Sequence, residues 1–280
     1  FRSGTIALAI LIVLLLLPPY VLALTVLAAS VIGLYEYSHA MKRINVRVDL
    51  PVSFIAALAT VGRAYGSTLP EKLFPDLYKI LSKITTNTNL NALAYIIIVY
   101  LFCRIIFQHQ RFRIEDMAYT LFGILYIPFL LSFAVTTRNL EGGFMYIWLI
   151  IIGSTVTDMF AYFIGVAFGK TKIVPQISPK KTVEGSIGGA LGCMLVMILF
   201  SVLVINRFSA TAIPVYHFAI LGLLCGTVSQ LGDWAASALK RTTGIKDFGK
   251  LIPGHGGIMD RVDSILFVSP LVYIYVRLFL

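Results

Sequence analysis

GFMYIWLIIIGSTVTDMFAYFIGVAFG, residues 143–169, is the stretch that decides the fold. It holds one acid, Asp158, and no Lys or Arg. At about 1.5 Å per residue, a helix of this length outruns the ~30 Å hydrocarbon core of a bilayer. Working outward, further apolar stretches lie at about 4–17, 20–40, 50–65, 90–107, 114–136, 187–205, 216–239 and 263–280. The first and third are short. The fold class expected is therefore all-α, a polytopic integral membrane protein with about nine transmembrane helices. Composition agrees: 58% of the 280 residues are hydrophobic and 13% charged, against about 25% charged in soluble chains. Mean hydropathy is +0.88. Disorder, collagen, coiled coil and a secreted disulfide scaffold are excluded. An outer-membrane barrel would show ~10-residue alternating segments instead of continuous runs.

The first apolar run meets Pro18-Pro19 with no small-residue cleavage site, so a span is expected there and not a cleaved leader. The chain opens on Phe1, and a few residues are expected to precede it. Cys103, Cys193 and Cys225 all sit inside apolar runs without metal-knuckle spacing and read as packing residues. The net charge of +10 fits loops held near anionic headgroups, and no nucleic-acid partner is expected. With the N-terminus and the breaks after spans two, four, six and eight on one side, sixteen of the 23 Lys and Arg fall there. By the positive-inside rule that side is cytoplasmic. Residues 1–140 then form about five N-terminal spans. Residues 141–280 form a C-terminal catalytic region with cytoplasmic loops 170–186 and 240–262. Segment 66–89 reads as an external connector or short surface helix. Gly185 and Gly189, Gly188 and Gly192, and Gly222 and Gly226 are spaced for close helix packing.

Only 13 acids exist, and three fall within or near the ends of spans. An ionisable group there costs about 2.5–3.5 kcal/mol on insertion scales, which makes each a functional candidate. Glu36, between Tyr35 and Tyr37, is explained as well by a structural hydrogen bond as by function. Asp158 stands about two-thirds along its span. Asp233 is followed on one helical face by Ser237, then Lys240 and Arg241, more cations than a structural salt bridge needs.

Beyond them lies Lys246-Asp247-Phe248-Gly249-Lys250-Leu251-Ile252-Pro253-Gly254-His255-Gly256-Gly257-Ile258-Met259-Asp260-Arg261-Val262-Asp263. Asp260 and Asp263 are three apart at a helix start, where the dipole favours anions. With Asp233 arriving from another helix they make a hard-oxygen set suited to Mg²⁺. The glycines around His255, Gly256 and Gly257 among them, permit close backbone approach and a phosphate cradle. Upstream, Ser178-Pro179-Lys180-Lys181-Thr182 at a helix start suits a polyphosphate or lipid phosphate, or serves as a basic anchor. Gly165 to Gly169-Lys170-Thr171 has one residue too few for a P-loop and no strand before it.

The run Ser237-Ala238-Leu239-Lys240-Arg241, Lys246-Asp247, Gly249, Leu251 to Gly257, Asp260-Arg261 and Asp263 resembles the signature of the phosphatidate cytidylyltransferase (CDP-diacylglycerol synthase) family, bacterial type. The pieces Asp158 to Tyr162, Phe168-Gly169-Lys170 and Ser178 to Gly185 resemble it too. The first half does so only in hydropathy, in Thr120-Leu121-Phe122-Gly123 and in Ile127-Pro128. Phe248 departs from the small residue expected. The resemblance implies transfer of CMP from CTP to phosphatidic acid, giving CDP-diacylglycerol and pyrophosphate, by a homodimer in the cytoplasmic (inner) membrane with its site facing the cytoplasm. It implies Mg²⁺ on Asp233, Asp260 and Asp263, Asp158 completing or orienting that site, and room for a monovalent cation (K⁺). Lys240, Arg241, Lys246, Lys250 and Arg261 would meet phosphates, with Lys180, Lys181, Ser178 and Ser237 next. His255 would donate a hydrogen bond or shape the loop. The alternatives are a CTP-dependent lipid or polyprenol kinase, against which the signature around His255 speaks, and an ion-coupled transporter, whose inverted repeat is not seen.

Overall fold

A computed structural model describes residues 13–66, 75–84, 86–208, 212–251 and 256–280. Nine labelled helices lie among them: α1 (Pro19–Lys42), α2 (Leu50–Gly66), α3 (Pro75–Ile84), α4 (Asn87–Phe107), α5 (Ile114–Arg138), α6 (Gly143–Phe168), α7 (Val183–Phe208), α8 (Val215–Thr242) and α9 (Met259–Phe279). Among the described residues no strand occurs, only one isolated bridge between Lys172 and Thr182. Among the described residues seven helices, α1 and α4 to α9, are long and apolar enough to cross a membrane. The chain is an all-α integral membrane protein. The count of nine spans is not confirmed among the described residues: α2, with 17 residues, is a shorter apolar helix than these seven. The first stretch lies mostly outside the described residues, apart from a helical turn at 13–16. Segment 66–89 contains α3, a ten-residue helix with Asp76 in its first turn.

Helix ends overrun the hydropathy estimate because polar caps, not apolar residues, start them. Thr86 accepts from Asn89 N–H at 3.3 Å and opens α4. Thr182 accepts from Gly185 N–H at 3.2 Å and opens α7 four residues before its apolar run. Three spans contain a π-turn: Leu125–Phe129 in α5, Ile152–Val156 in α6 and Ser201–Ile205 in α7. The first holds Pro128, which has no N–H to offer the preceding turn. The second ends one residue before Thr157, the neighbour of Asp158.

The chain forms two compact units that are not contiguous halves: residues 1–139 with 243–260, and residues 140–242 with 261–280. The division falls inside α9, between Asp260 and Arg261. In the first unit Tyr37 is fully buried and its hydroxyl donates to Tyr119 O at 3.1 Å. Two acids unremarked in the sequence are also buried there. Asp116 accepts from Arg47 N–H at 2.6 Å and Arg113 N–H at 2.8 Å, and Asp49 pairs with Arg104. They pin the segment between α1 and α2 to the turn between α4 and α5, where unsatisfied backbone would otherwise be costly.

In the second unit α7 packs against α6 and α8. A Cβ placed at Gly222 would lie 2.5 Å from Met194 Cα, and one at Gly226 2.6 Å from Ala190 Cα. The small-residue spacing read from the sequence is thus a backbone-to-backbone seam.

Candidate functional site

The second unit gathers acids from three helices around one lysine. Asp158 comes from α6, two residues beyond the π-turn; Asp233 from α8; Asp263 from α9. Lys181 Nζ meets Asp233 Oδ2 at 2.8 Å. The same ammonium interacts electrostatically with Asp158 and Asp263. Asp158 and Asp233 also feel each other, as do Asp233 and Asp263, with Arg261 and Lys240 as further counter-charges. Asp158 is exposed, while Asp233 and Lys181 keep 21% and 28% of their side-chain surface, so the group is reachable.

Local structure explains why Lys181 is there. The segment before α7 folds back on itself: Ile173 N–H donates to Lys181 O, Val183 N–H to Thr171 O, and Lys170 and Thr171 N–H to the Glu184 carboxylate. Arg241 Nε donates to Ile177 O at 3.2 Å, joining the end of α8 to the turn that carries Ser178. Gly232 sets the other side. A Cβ there would sit 2.6 Å from Asp263 O, so α8 and α9 touch through backbone one residue from Asp233.

Burial alone would pull the Lys181 ammonium down, but Asp233 first, then Asp158 and Asp263, hold it above the ordinary lysine range. A raised value in the folded state stabilises fully below the unfolded value of about 10.4 and is lost only as pH climbs through the folded one. In chelator-containing detergent buffer, Lys181→Met is therefore expected to melt lower than wild type throughout pH 6 to pH 9, with a margin at pH 9 no smaller than at pH 6. A margin that vanishes within that window would sink this ion-pair assignment.

In the first unit the glycine-rich segment is tied by two carboxylates. Phe248 N–H at 2.8 Å and Gly257 N–H at 3.0 Å both donate to Asp260 Oδ2. Ile258 N–H at 3.1 Å and Met259 N–H at 2.9 Å donate to the two oxygens of Glu36, which is buried. Gly256 has φ +82, a left-handed value that favours glycine. Phe248, the departure from the expected small residue, is a buried side chain whose N–H serves the Asp260 contact.

The cytidylyltransferase family model matches residues 1–279. The chain belongs to this family. Among curated relatives, a phosphatidate cytidylyltransferase of Thermotoga maritima is 38% identical over 156 residues, 56% of this chain and 57% of that protein. One of Bacillus subtilis is 36% identical over 171 residues, 61% of this chain and 62% of that protein. One of Synechocystis sp. is 37% identical over 204 residues, 63% of this chain and 67% of that protein. The match thus spans less than two thirds of the first two relatives.

For a cytidylyltransferase-family chain, the sequence expectations divide as follows. Asp158, Asp233, Asp263, Lys181, Lys240 and Arg261 come together in the second unit. Arg241 serves the Ser178 turn, Lys180 beside it is exposed, and Ser237 lies one turn after Asp233 on α8. Lys246 and Lys250 are exposed in the first unit, where Asp260 and Gly257 organise the loop. His255 lies outside the described residues. Glu36, read from the sequence as open between a structural hydrogen bond and a function, accepts hydrogen bonds from residues more than 220 positions away in the chain.

The donor set is all carboxylate and hydroxyl, which suits a hard divalent cation. Among the described residues no three acid, His or Cys side chains close into a metal-holding group. Mg²⁺ does not require one, since it keeps waters and uses one or two carboxylates plus substrate phosphates. Ser264, beside Asp263, and Ser229, one turn before Asp233, have buried hydroxyls with no protein hydrogen-bond partner among the described residues. Orphaned oxygens next to clustered carboxylates fit a hydrated cation.

Proposed function

We propose that this protein transfers CMP from CTP to phosphatidic acid, forming CDP-diacylglycerol and releasing pyrophosphate. The observation that carries the reading is the reachable cluster of Asp158, Asp233 and Asp263 around Lys181, in a chain matched end to end by a cytidylyltransferase family. The phosphate oxygen of phosphatidic acid is already anionic, so its attack on the α-phosphorus of CTP needs no strong base. One O–P bond forms, the bond to the β-phosphate bridge oxygen breaks, and its electrons leave with pyrophosphate. Lys240, Arg241 and Lys180 are proposed to hold phosphate oxygens, with Lys246 and Lys250 serving from the glycine-rich loop. Lys181 is proposed to keep the carboxylates apart and oriented, and to lend positive charge where phosphate arrives. Mg²⁺, when bound to Asp233 and Asp263 with Asp158 beside them, would supply Lewis-acid neutralisation of the phosphates. Asp260 is proposed as a further contributor, and K⁺ as a second cation. The excess of basic residues in the breaks on one side supports a cytoplasmic-facing site in the inner membrane. A homodimer is proposed as the working form.

Purified protein in detergent, given CTP labelled at the α-phosphate, is expected to move label into a chloroform-soluble product only when phosphatidic acid and Mg²⁺ are both present. Excess chelator should stop the transfer and added Mg²⁺ restore it. Label moving instead from the γ-position of CTP would replace this reading with a lipid kinase.

A further inference from the structure

Glu36 takes no part in the chemistry above, yet it is one of the most buried acids among the described residues, at 6% exposure on α1. A carboxylate within an apolar span costs about 2.5–3.5 kcal/mol on insertion scales unless it is matched. Its match is specific. Each oxygen takes one N–H from successive residues, Ile258 and Met259, where α9 begins. Ile258 immediately precedes the helix and has no side-chain acceptor of its own, so the capping that a local Ser, Thr or Asp would provide comes from another helix. The loop is built to admit it: a Cβ at Gly249 or at Gly257 would collide with the Glu36 carboxylate. One turn earlier on α1, a Cβ at Gly33 would lie 3.1 Å from the sulfur of Met259, which is fully buried.

Asp260 joins residue 248 to residue 257 and so closes the loop at its base. Glu36 fastens that closed base to α1. Lys250, next to Gly249, is exposed.

We infer that Glu36 is a positioning residue, acting through the backbone at Gly249 and at residues 257–259 to fix the chain beside Lys250, the cation proposed above to meet a phosphate of CTP. This rests on the proposed cytidylyl transfer. In Glu36→Gln an amide NH₂ faces one of the two backbone donors, so one acceptor and the charge are lost with little change in shape. Hydrogen bonds to charged groups are among the stronger ones, and the expected effect is a rise of roughly tenfold in KM for CTP. KM for phosphatidic acid is expected to stay within about twofold. Amide hydrogen exchange at residues 257–259 should quicken in the same variant.

Tyr37→Phe serves as the control. It removes a buried hydrogen bond from the next residue of α1 and is expected to lower melting temperature while leaving KM for CTP unchanged. A merely structural Glu36 would behave in the same way. Should Glu36→Gln fail to fold, Glu36→Asp keeps the charge one methylene short and is expected to show the same rise in smaller degree. The inference is overturned if the folded variant keeps the wild-type KM for CTP, or if exchange at 257–259 does not change. The exchange experiment also separates the two failures. It reads the tether without substrate, whereas wild-type protein that transfers no CMP strikes the functional reading alone.

Discussion

Asp263→Asn is expected to lower CMP transfer by about a thousandfold, with the protein still inserted and folded. In the proposed reaction several kcal/mol of charge neutralisation on the phosphates would pass through this cluster, and each 1.36 kcal/mol is a factor of ten in rate. Asn keeps the volume and one oxygen acceptor but not the charge that draws a divalent cation. The same substitution has the opposite sign for stability. Asp263 lies within the field of Asp233 and Asp158, and like charges held together in a poorly solvated place disfavour the folded state. In chelator the variant should therefore melt at or above the wild-type temperature, the trade of stability for activity common at active sites. Measuring CMP incorporation and melting side by side checks both halves. Activity above about a tenth of wild type would remove Asp263 from the cation site, and a large fall in melting temperature would show its role to be structural.

Gly232→Ala should cost roughly a hundredfold in activity without removing any chemical group. In an isolated helix this change is favourable by about 1 kcal/mol. Here the new Cβ would meet Asp263 O at 2.6 Å, with Phe267 and Ser264 within 3.3 Å. Ordinary carbon–oxygen contact is nearer 3.3–3.5 Å, and the obstacle is backbone, so α9 must move several tenths of an ångström or more away from α8. That displacement carries Asp263 away from Asp233, and misplacement by about 1 Å is enough to cost about 10²-fold. Gly244, which also lies beyond an apolar run but has open space around it, gives a contrast: its φ of +69 makes Ala strained locally without touching the α8–α9 seam. CMP incorporation normalised to folded protein decides the matter. Wild-type turnover in Gly232→Ala would mean that the close approach of the two helices is not needed for the chemistry.

Asp158 and Asp233 were legible as candidates because a bilayer penalises each ionisable group separately, whatever its neighbours, and Asp263 because it lies three residues from Asp260 at a helix start. The positions stand out in a linear string for those reasons. The small-residue pairs were legible for a similar reason, since spacing along one helix fixes which residues share a face. Span ends were less so, because Thr86 and Thr182 start helices through local hydrogen bonds that hydropathy ignores. The shortfall of α2 arises likewise, as an apolar run of 17 residues reads as a span until its helix is measured.

Glu36 marks the limit. Its neighbours in the chain, Tyr35 and Tyr37, carry no hint of a partner 223 residues away at Met259. Nor does the pair Lys180-Lys181 reveal which lysine turns toward Asp233; the fold-back of residues 170–183 selects Lys181 and leaves Lys180 exposed.

By itself the sequence determined that this chain is an all-α membrane protein, that most of its candidate residues lie in its second half, and which acids are costly enough to need a purpose. Those are properties of single residues or of one helix, set by transfer from water to hydrocarbon. Tertiary structure alone decided that Asp158, Asp233 and Asp263 share one lysine, that α9 meets α8 through backbone at Gly232, and that α1 holds the start of α9 through Glu36. These are pairwise facts. They depend on how helices rotate and slide until small residues and satisfied backbone groups let them close, and no one-dimensional pattern encodes that.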